Sequence, residues 1–182
     1  MKIKLQNVRL SFPDLFEAKT VAGEGKPAFS ATFLIDPADK QVAAINAAID
    51  AAATAKWGAK AAAILKQIRA TDKACLHNGD AKASYDGFAG NLFISARNPV
   101  RPTVIDADKT PLVESSGKPY AGCYVNAVVE IWAQDNSYGK RVNATLMGVQ
   151  FYRDGDSFTG GGAASADDFD DVSSGATADD LA

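Results

Sequence analysis

The chain has 182 residues, of which 47% are hydrophobic, 22 are acidic and 19 are basic, so its formal net charge is −3. This length suits one ordinary domain or two very small ones. A membrane protein and a secreted protein are disfavoured, because no apolar run approaches the roughly 20 residues of a bilayer span and the N-terminus lacks a signal-peptide pattern.

The N-terminal segment is predicted to contain two β-strands. Residues 2–10 form the first, and the parity of their apolar positions changes once, which indicates a bulge near residues 6–7. Pro13 is expected to break the chain after this strand. The second strand is predicted at residues 28–35, where apolar side chains alternate.

Residues 37–70 are predicted to form a helical insertion. Asp36 suits the N-cap position and Pro37 suits the first helical position. The alanine-rich stretch that follows carries one apolar stripe at three-to-four spacing, and Gly58 is expected to divide it into two helices. Such a segment would cover one end or edge of a β-structure.

The second half of the chain has a β and loop pattern. Residues 92–97 alternate in polarity, and residues 98–119, which include four prolines, are predicted to be a long irregular connection. Residues 123–133 and 140–152 are predicted to form a long β-hairpin with a bulge at Gly148. This mainly β pattern suits a small barrel or a sandwich, and periodicity alone does not separate the two.

The composition changes abruptly after residue 158. The segment 159–182 is predicted to be a disordered tail with a flexible glycine hinge at 160–162, because it cannot bury enough apolar surface to offset its ordering entropy. Removing its six acidic residues from the 22 leaves 16 against 19 basic residues, so residues 1–162 carry a net charge of +3. The acidic residues of the tail are Asp167, Asp168, Asp170, Asp171, Asp179 and Asp180.

The sequence disfavours an enzyme. It has no phosphate-binding glycine-rich loop, no Gly-x-Ser-x-Gly elbow and no His-Glu-x-x-His motif. One histidine, His77, and two cysteines, Cys75 and Cys123, are too few for a zinc site or a disulfide framework, so the cysteines are interpreted as small buried hydrophobes. Asp106 and Asp108 are interpreted as turn residues rather than a metal-binding pair, and no cofactor or metal is expected.

Aromatic and basic residues share the outward-facing positions of several predicted strands and loops. This combination is typical of single-stranded nucleic-acid binding, in which aromatic faces stack on bases while Lys and Arg contact phosphates. An outward aromatic can equally pack beneath the helices, whereas Phe12 and Phe16 are expected in the core or a hydrophobic staple. The candidate binding residues are Tyr85, Phe88, Phe93, Arg97, Arg101, Tyr124, Trp132, Tyr138, Lys140 and Arg141.

The acidic tail surrounds one aromatic residue, Phe169. Solvation alone needs no aromatic side chain, although a purely solubilising tail stays open. The functional interpretation is that the tail competes with nucleic acid for the basic body and docks Phe169 into partner proteins.

Five segments in order along residues 1–158 resemble a family of bacteriophage single-stranded DNA-binding proteins long catalogued as a domain of unknown function. They are LSFP at 10–13, FSATF at 29–33, ISARN at 94–98, GCYVNA at 122–127 and GVQF at 148–151. The resemblance implies an OB-fold-like five-stranded barrel at residues 1–158 that binds single-stranded DNA without sequence preference. It also implies a tail that recruits replication partners. Similar tails end on an aromatic residue, whereas this chain ends in Leu181-Ala182.

Together these observations predict a protein that coats and protects single-stranded DNA during phage replication, recombination and repair in the cytoplasm of the infected cell. Its expected partners are single-stranded DNA and phage or host replication proteins. No association with a membrane is expected. Self-association and cooperative binding along DNA stay open. The alternative is a phage structural or assembly protein that acts through protein contacts.

Overall fold

A computed structural model describes residues 1–21, 24–158 and 166–173. This part of the chain contains seven β-strands and two α-helices. They are β1 Lys2–Val21, β2 Glu24–Ile35, α1 Gln41–Trp57, α2 Ala61–Ala70, β3 Leu76–Asn78, β4 Leu92–Asn98, β5 Thr103–Ile105, β6 Tyr124–Asn136 and β7 Gly139–Arg153. No helix among these residues is long and apolar enough to span a membrane.

Five of the strands close into a barrel. The sheet order is β3-β4-β2-β1-β6-β7-β5, and a parallel pairing of Arg97 in β4 with Thr145 in β7 joins its two sides. The closed ring is therefore β1-β2-β4-β7-β6, while β3 and β5 extend it at β4 and β7. This is a five-stranded barrel of the OB type. The predicted fold is confirmed, and the closure excludes the sandwich.

The barrel core follows the alternation of the long hairpin. Val125, Val129 and Ile131 of β6 are buried, as are Val142 and Leu146 of β7. The register between the two strands shifts between Val128 and Val129, opposite Gly148, so the predicted bulge is confirmed. The helices pack Ile45, Ile49 and Leu65 onto the same core.

β1 is longer than predicted. The bulge near residues 6–7 is confirmed, since the register with β6 shifts between Leu5 and Val8 and Asn7 has a φ of 51°. Pro13 was predicted to end this strand, but the strand continues past it. Pro13 lies where the register with β2 already shifts, and a proline costs no ladder hydrogen bond at such an irregularity.

The helical insertion begins later than predicted. Asp36 accepts the N–H of Ala38 at 2.8 Å in a tight turn, so it is not the N-cap of a helix that starts at Pro37. α1 starts at Gln41, whose N–H donates to the carboxylate of Asp39 at 2.9 Å. Gly58, with a φ of 56°, ends α1 and divides the insertion as predicted.

The connection at residues 98–119 contains one strand that the sequence did not reveal. β5 pairs in parallel with β7, and Thr103 lies opposite Gly148. Because Pro102 and Pro111 lie on either side of it, this short strand was predicted to be part of a loop. Asp106 forms an ion pair with Lys118 at 2.8 Å, and the hydrogen bond from this lysine lowers the pKa of the Asp106 carboxyl. Asp108 accepts the N–H of Thr110, as expected of a turn residue.

The segment after β7 runs back along the barrel. The N–H of Phe158 donates to the carbonyl of Ala121 at 3.0 Å, and the Phe158 ring packs on an aromatic cluster described below. We therefore propose that the folded body extends to residue 158. Residues 159–165 and 174–182, including the predicted hinge, Asp179 and Asp180, lie outside the described residues. Within the rest of the tail, the Phe169 side chain is 70% exposed.

Both cysteines are buried and free, as the sequence predicts. Burial raises the pKa of the Cys75 thiol to about 12 and that of Cys123 to about 11. The reactive thiolate is therefore scarce at about pH 8. We expect Ellman's reagent to label both thiols slowly in the native protein and rapidly in denaturant. Rapid labelling under native conditions would show that the barrel opens around them.

Candidate nucleic-acid interface

A groove of about 840 Å³ crosses one side of the barrel. Its walls are the start of β2 at residues 25–28 and the β6–β7 hairpin, which continues past the pairing of β6 with β1. Its floor includes Ser95 and Arg97 on the outer face of β4, and the segment after α2 closes one end. The groove therefore lies between the β1–β2 hairpin and the β6–β7 hairpin, over the outer face of β4.

The groove is positively charged. Among the described residues that line it are Lys26, Lys73, Arg97 and Arg141, and neither aspartate nor glutamate. None of these four cations forms an ion pair within the described chain. Their charges are thus available to an anionic ligand, and the barrel walls focus the field into the groove.

Two aromatic side chains stand in the groove on the long hairpin. Trp132 is 42% exposed, and its indole N–H donates to the Thr145 hydroxyl at 3.0 Å, which fixes the ring across the strand pair. Tyr138 is 89% exposed at the tip of the hairpin. The Asn143 amide donates to Gln134 at 2.8 Å between the two strands and braces the hairpin. Aromatic rings beside unpaired cations can stack on bases while the cations contact phosphates.

The structure brings four of the predicted residues together in this groove: Arg97, Trp132, Tyr138 and Arg141. It also adds three that sequence analysis missed, namely Lys26, Lys73 and His77. Lys26 and Lys73 lie near the ends of elements, where no periodic pattern marks a face. The His77 Nδ1 donates a hydrogen bond to the Asp72 carboxylate at 2.7 Å, and the ring lies half-buried at the groove edge.

Phe88 and Phe93 do not offer a free ring face. They are 1% and 4% exposed and form a small cluster with Leu34 and Phe158. Phe93 does point to the outer face of β4, as its parity predicts, but the loop at residues 79–91 covers it, with the Phe88 ring 5.1 Å away. These two rings pack within the protein, and neither lines the groove.

Tyr124 lies at the other end of β6 from Trp132. Its ring is half-buried, with the Arg153 guanidinium 3.7 Å from the ring centroid and Arg9 at 5.6 Å. Gly155 packs against the ring edge. Tyr124 is therefore outside the groove, within a cluster of arginines.

Phe12 was expected in the core or in a hydrophobic staple, but it is 52% exposed. Its φ of 46° at the β1 irregularity turns the side chain outward, where it meets Tyr85 edge-to-face at 5.0 Å. The two rings line a separate depression that also contains Asp14 and Asp86. The sequence carries no signal for this reversal apart from Pro13, which follows Phe12.

Two predicted basic residues also lie outside the groove. Arg101 is exposed, with its guanidinium 5.6 Å from the ring of Phe16, which packs partly against the core. Lys140 lies on the far side of the hairpin, 3.8 Å from Asp135.

Comparison with known proteins gives a consistent family. The family model described as "Enterobacter phage Enc34, ssDNA-binding protein" matches residues 1–182. Protein p50 of Acyrthosiphon pisum secondary endosymbiont phage 1 is 51% identical over 176 residues, which is 95% of each chain.

Two solved structures are also similar. The single-stranded DNA-binding protein of bacteriophage Enc34 in complex with ssDNA is 27% identical, with a TM-score of 0.73 over 86% of this chain and 89% of that one. The bacteriophage T7 single-stranded DNA-binding protein gp2.5 is 11% identical, with a TM-score of 0.55 over 98% of this chain and 96% of the other, a likeness of fold alone.

Proposed function

Because the chain belongs to the family of the Enterobacter phage Enc34 single-stranded DNA-binding protein, we propose that it binds single-stranded DNA in its groove without sequence preference. Members of this family are binding proteins rather than enzymes. The observation that carries the proposal is the set of four unpaired cations around Trp132 and Tyr138, with no carboxylate among the described lining residues.

The position of the groove supports the proposal. OB-folds bind oligonucleotides on the face of their second and third strands, between the loops that join strands 1–2 and 4–5. In this barrel those strands are β2 and β4, and the loops belong to the β1–β2 and β6–β7 hairpins. Stacking on Trp132 and Tyr138 is tolerant of base identity because every base has a π-face.

The proposed role is to coat and protect single-stranded DNA during phage replication, recombination and repair, in the cytoplasm of the infected host. Tyr85, Arg101 and Tyr124 are proposed contacts of a longer strand, since they lie beyond the groove.

The acidic tail has two proposed roles. Its aspartates compete with DNA for the basic groove, and Phe169, exposed between Asp168 and Asp170, docks into phage or host replication proteins.

The test is an anisotropy titration of labelled oligo-dT and duplex DNA with the full chain and with a chain that ends at Phe158. We expect both chains to prefer the single strand, with affinity that falls steeply as salt rises. Removal of the tail should strengthen binding, most at low salt. A full-length chain with its six tail aspartates changed to asparagine is the matched control, and it should behave like the shortened chain.

Equal or absent binding of both DNAs would overturn the proposal and favour an assembly protein. Single-strand binding that is the same with and without the tail would reject only the competing role of the tail.

A further inference from the structure

A second depression, of about 780 Å³, lies beside the groove between α2 and the tip of the β6–β7 hairpin. Lys73 lines both cavities, so they share one rim. We propose that single-stranded DNA leaving the groove crosses this rim and that the helical insertion supplies a second track of phosphate contacts. This inference rests on the proposed function and extends its site.

The shared rim is held firmly to the barrel. The carbonyl of Lys73 accepts the N–H of Val142 at 3.1 Å, and Ala74 forms a parallel bridge with Val142. Arg141, a cation of the groove, is the neighbour of Val142 in β7. The segment that follows α2 is thus part of the barrel surface, and a strand bound at Arg141 meets Lys73 next.

The second depression has the charge of a phosphate site. Three lysines line it, Lys60, Lys73 and Lys140, against one carboxylate, Asp135. Asp135 is engaged by the Trp57 indole N–H at 2.9 Å and by Lys140 at 3.8 Å. Lys60 and Lys73 form no ion pair in the part of the chain that the structure describes.

The helix presents a defined face to this cavity. Ile64 and Gln67 of α2 line the depression together with the residues that flank the helix, Lys60 and Thr71, and the four follow three-to-four spacing. The Thr71 hydroxyl donates to the Gln67 carbonyl at 2.8 Å. The Trp57 ring lines the cavity, but it packs partly against the core and is less exposed than Trp132. The three lysines therefore favour contacts to phosphates in this cavity.

The depression that contains Phe12 and Tyr85 does not fit this role. Its lining includes the carboxylates of Asp14 and Asp86 and, among the described residues, no lysine or arginine. It offers the Tyr85 ring to a base but no cation to a phosphate, so the electrostatics favour the path over α2 for the phosphates.

The test compares two charge reversals on the same part of the fold. Lys60→Glu changes a lining residue, whereas Lys66→Glu changes an exposed lysine of α2 that does not line the cavity. Each variant is titrated with oligo-dT of about six nucleotides, which the groove can hold, and of about twenty nucleotides, which exceeds one OB-fold.

We expect Lys60→Glu to weaken binding of the long oligonucleotide several-fold more than Lys66→Glu does. The slope of log K against log salt should also flatten by about 0.7 for each phosphate that the protein no longer neutralises. Binding of the short oligonucleotide should be the same in the two variants.

Equal effects of the two substitutions on the long oligonucleotide would overturn the inference. An effect of Lys60→Glu that disappears in the chain ending at Phe158 would assign the cavity to the acidic tail instead, and would also overturn it. Failure of the unmodified protein to bind the short oligonucleotide is the distinct result that would count against the proposed function itself.

An optical signal provides a second measurement. The chain has two tryptophans, so Trp57 is the only one left in a Trp132→Phe variant. Its emission should change when the long oligonucleotide binds and stay constant with the short one. No change with the long oligonucleotide would contradict a strand that passes over α2.

Discussion

Replacing Trp132 with alanine is expected to weaken binding of single-stranded DNA by about tenfold to a hundredfold. Stacking of one base on an aromatic side chain contributes about 1–3 kcal/mol, and each 1.4 kcal/mol is about a factor of ten in affinity. Trp132 is half-exposed, its orientation is fixed by Thr145, and the cations Arg97 and Arg141 line the same groove. A ring held in this way loses little entropy when a base stacks on it.

The measurement is an anisotropy titration at fixed salt, with thermal melting to verify that the variant is folded. Tyr152→Ala is the matched control, because Tyr152 is an exposed aromatic of β7 that does not line the groove. Trp132→Phe keeps an aromatic face and should retain most of the affinity. If the alanine variants of Trp132 and Tyr152 bind alike, Trp132 is not a stacking platform.

The part of the site that lies on the long hairpin could be predicted from sequence. Strand parity puts Trp132 and Arg141 on the outer face of β6 and β7, and the short turn fixes the register that brings the two strands together. The apolar residues at alternating positions, such as Val129 and Leu146, indicate which face of each strand points into the core. Local pattern is sufficient here because the two strands are adjacent in the chain.

The rest of the site depends on contacts between distant segments. Parity correctly puts Phe93 on the outer face of β4, but it cannot show that Phe88 and Phe158 cover it. Lys26 and Lys73 reach the groove only because the barrel closes. Since both are far from Trp132 in the sequence, local pattern could not predict that they lie near it. The exposure of Phe12 follows from a local change of backbone conformation that reverses one side chain.

A second large effect is expected from Gly122→Ala, which should destabilise the folded protein by about 2–6 kcal/mol, the sum of backbone strain and overpacking. The φ of Gly122 is 103°, a conformation that is strained for alanine, at about 1–3 kcal/mol. A Cβ atom would also lie against the carbonyl oxygen of Asp156, closer than van der Waals contact allows. Relief of this overpacking costs about 1–3 kcal/mol more.

Gly117→Ala is the control that separates strain from crowding. Gly117 also has a positive φ, of 71°, but a methyl group added there would meet no atom within 4 Å, so only the backbone strain should appear. Thermal or denaturant unfolding measures both variants, and each kcal/mol corresponds to about 2–4 °C in Tm for a chain of this size. Equal destabilisation of the two variants would contradict the close approach of Gly122 to Asp156.

The crowded contact at Gly122 also bears on the surface beside the groove. Asp156 belongs to the segment that returns from β7, and Phe158 at its end covers Leu34, Phe88 and Phe93. A methyl group at Gly122 should push this segment away and uncover the aromatic cluster. Limited proteolysis should therefore cut Gly122→Ala after Arg153 faster than it cuts Gly117→Ala. Equal rates of cleavage would show that Phe158 is held without the contact at Gly122.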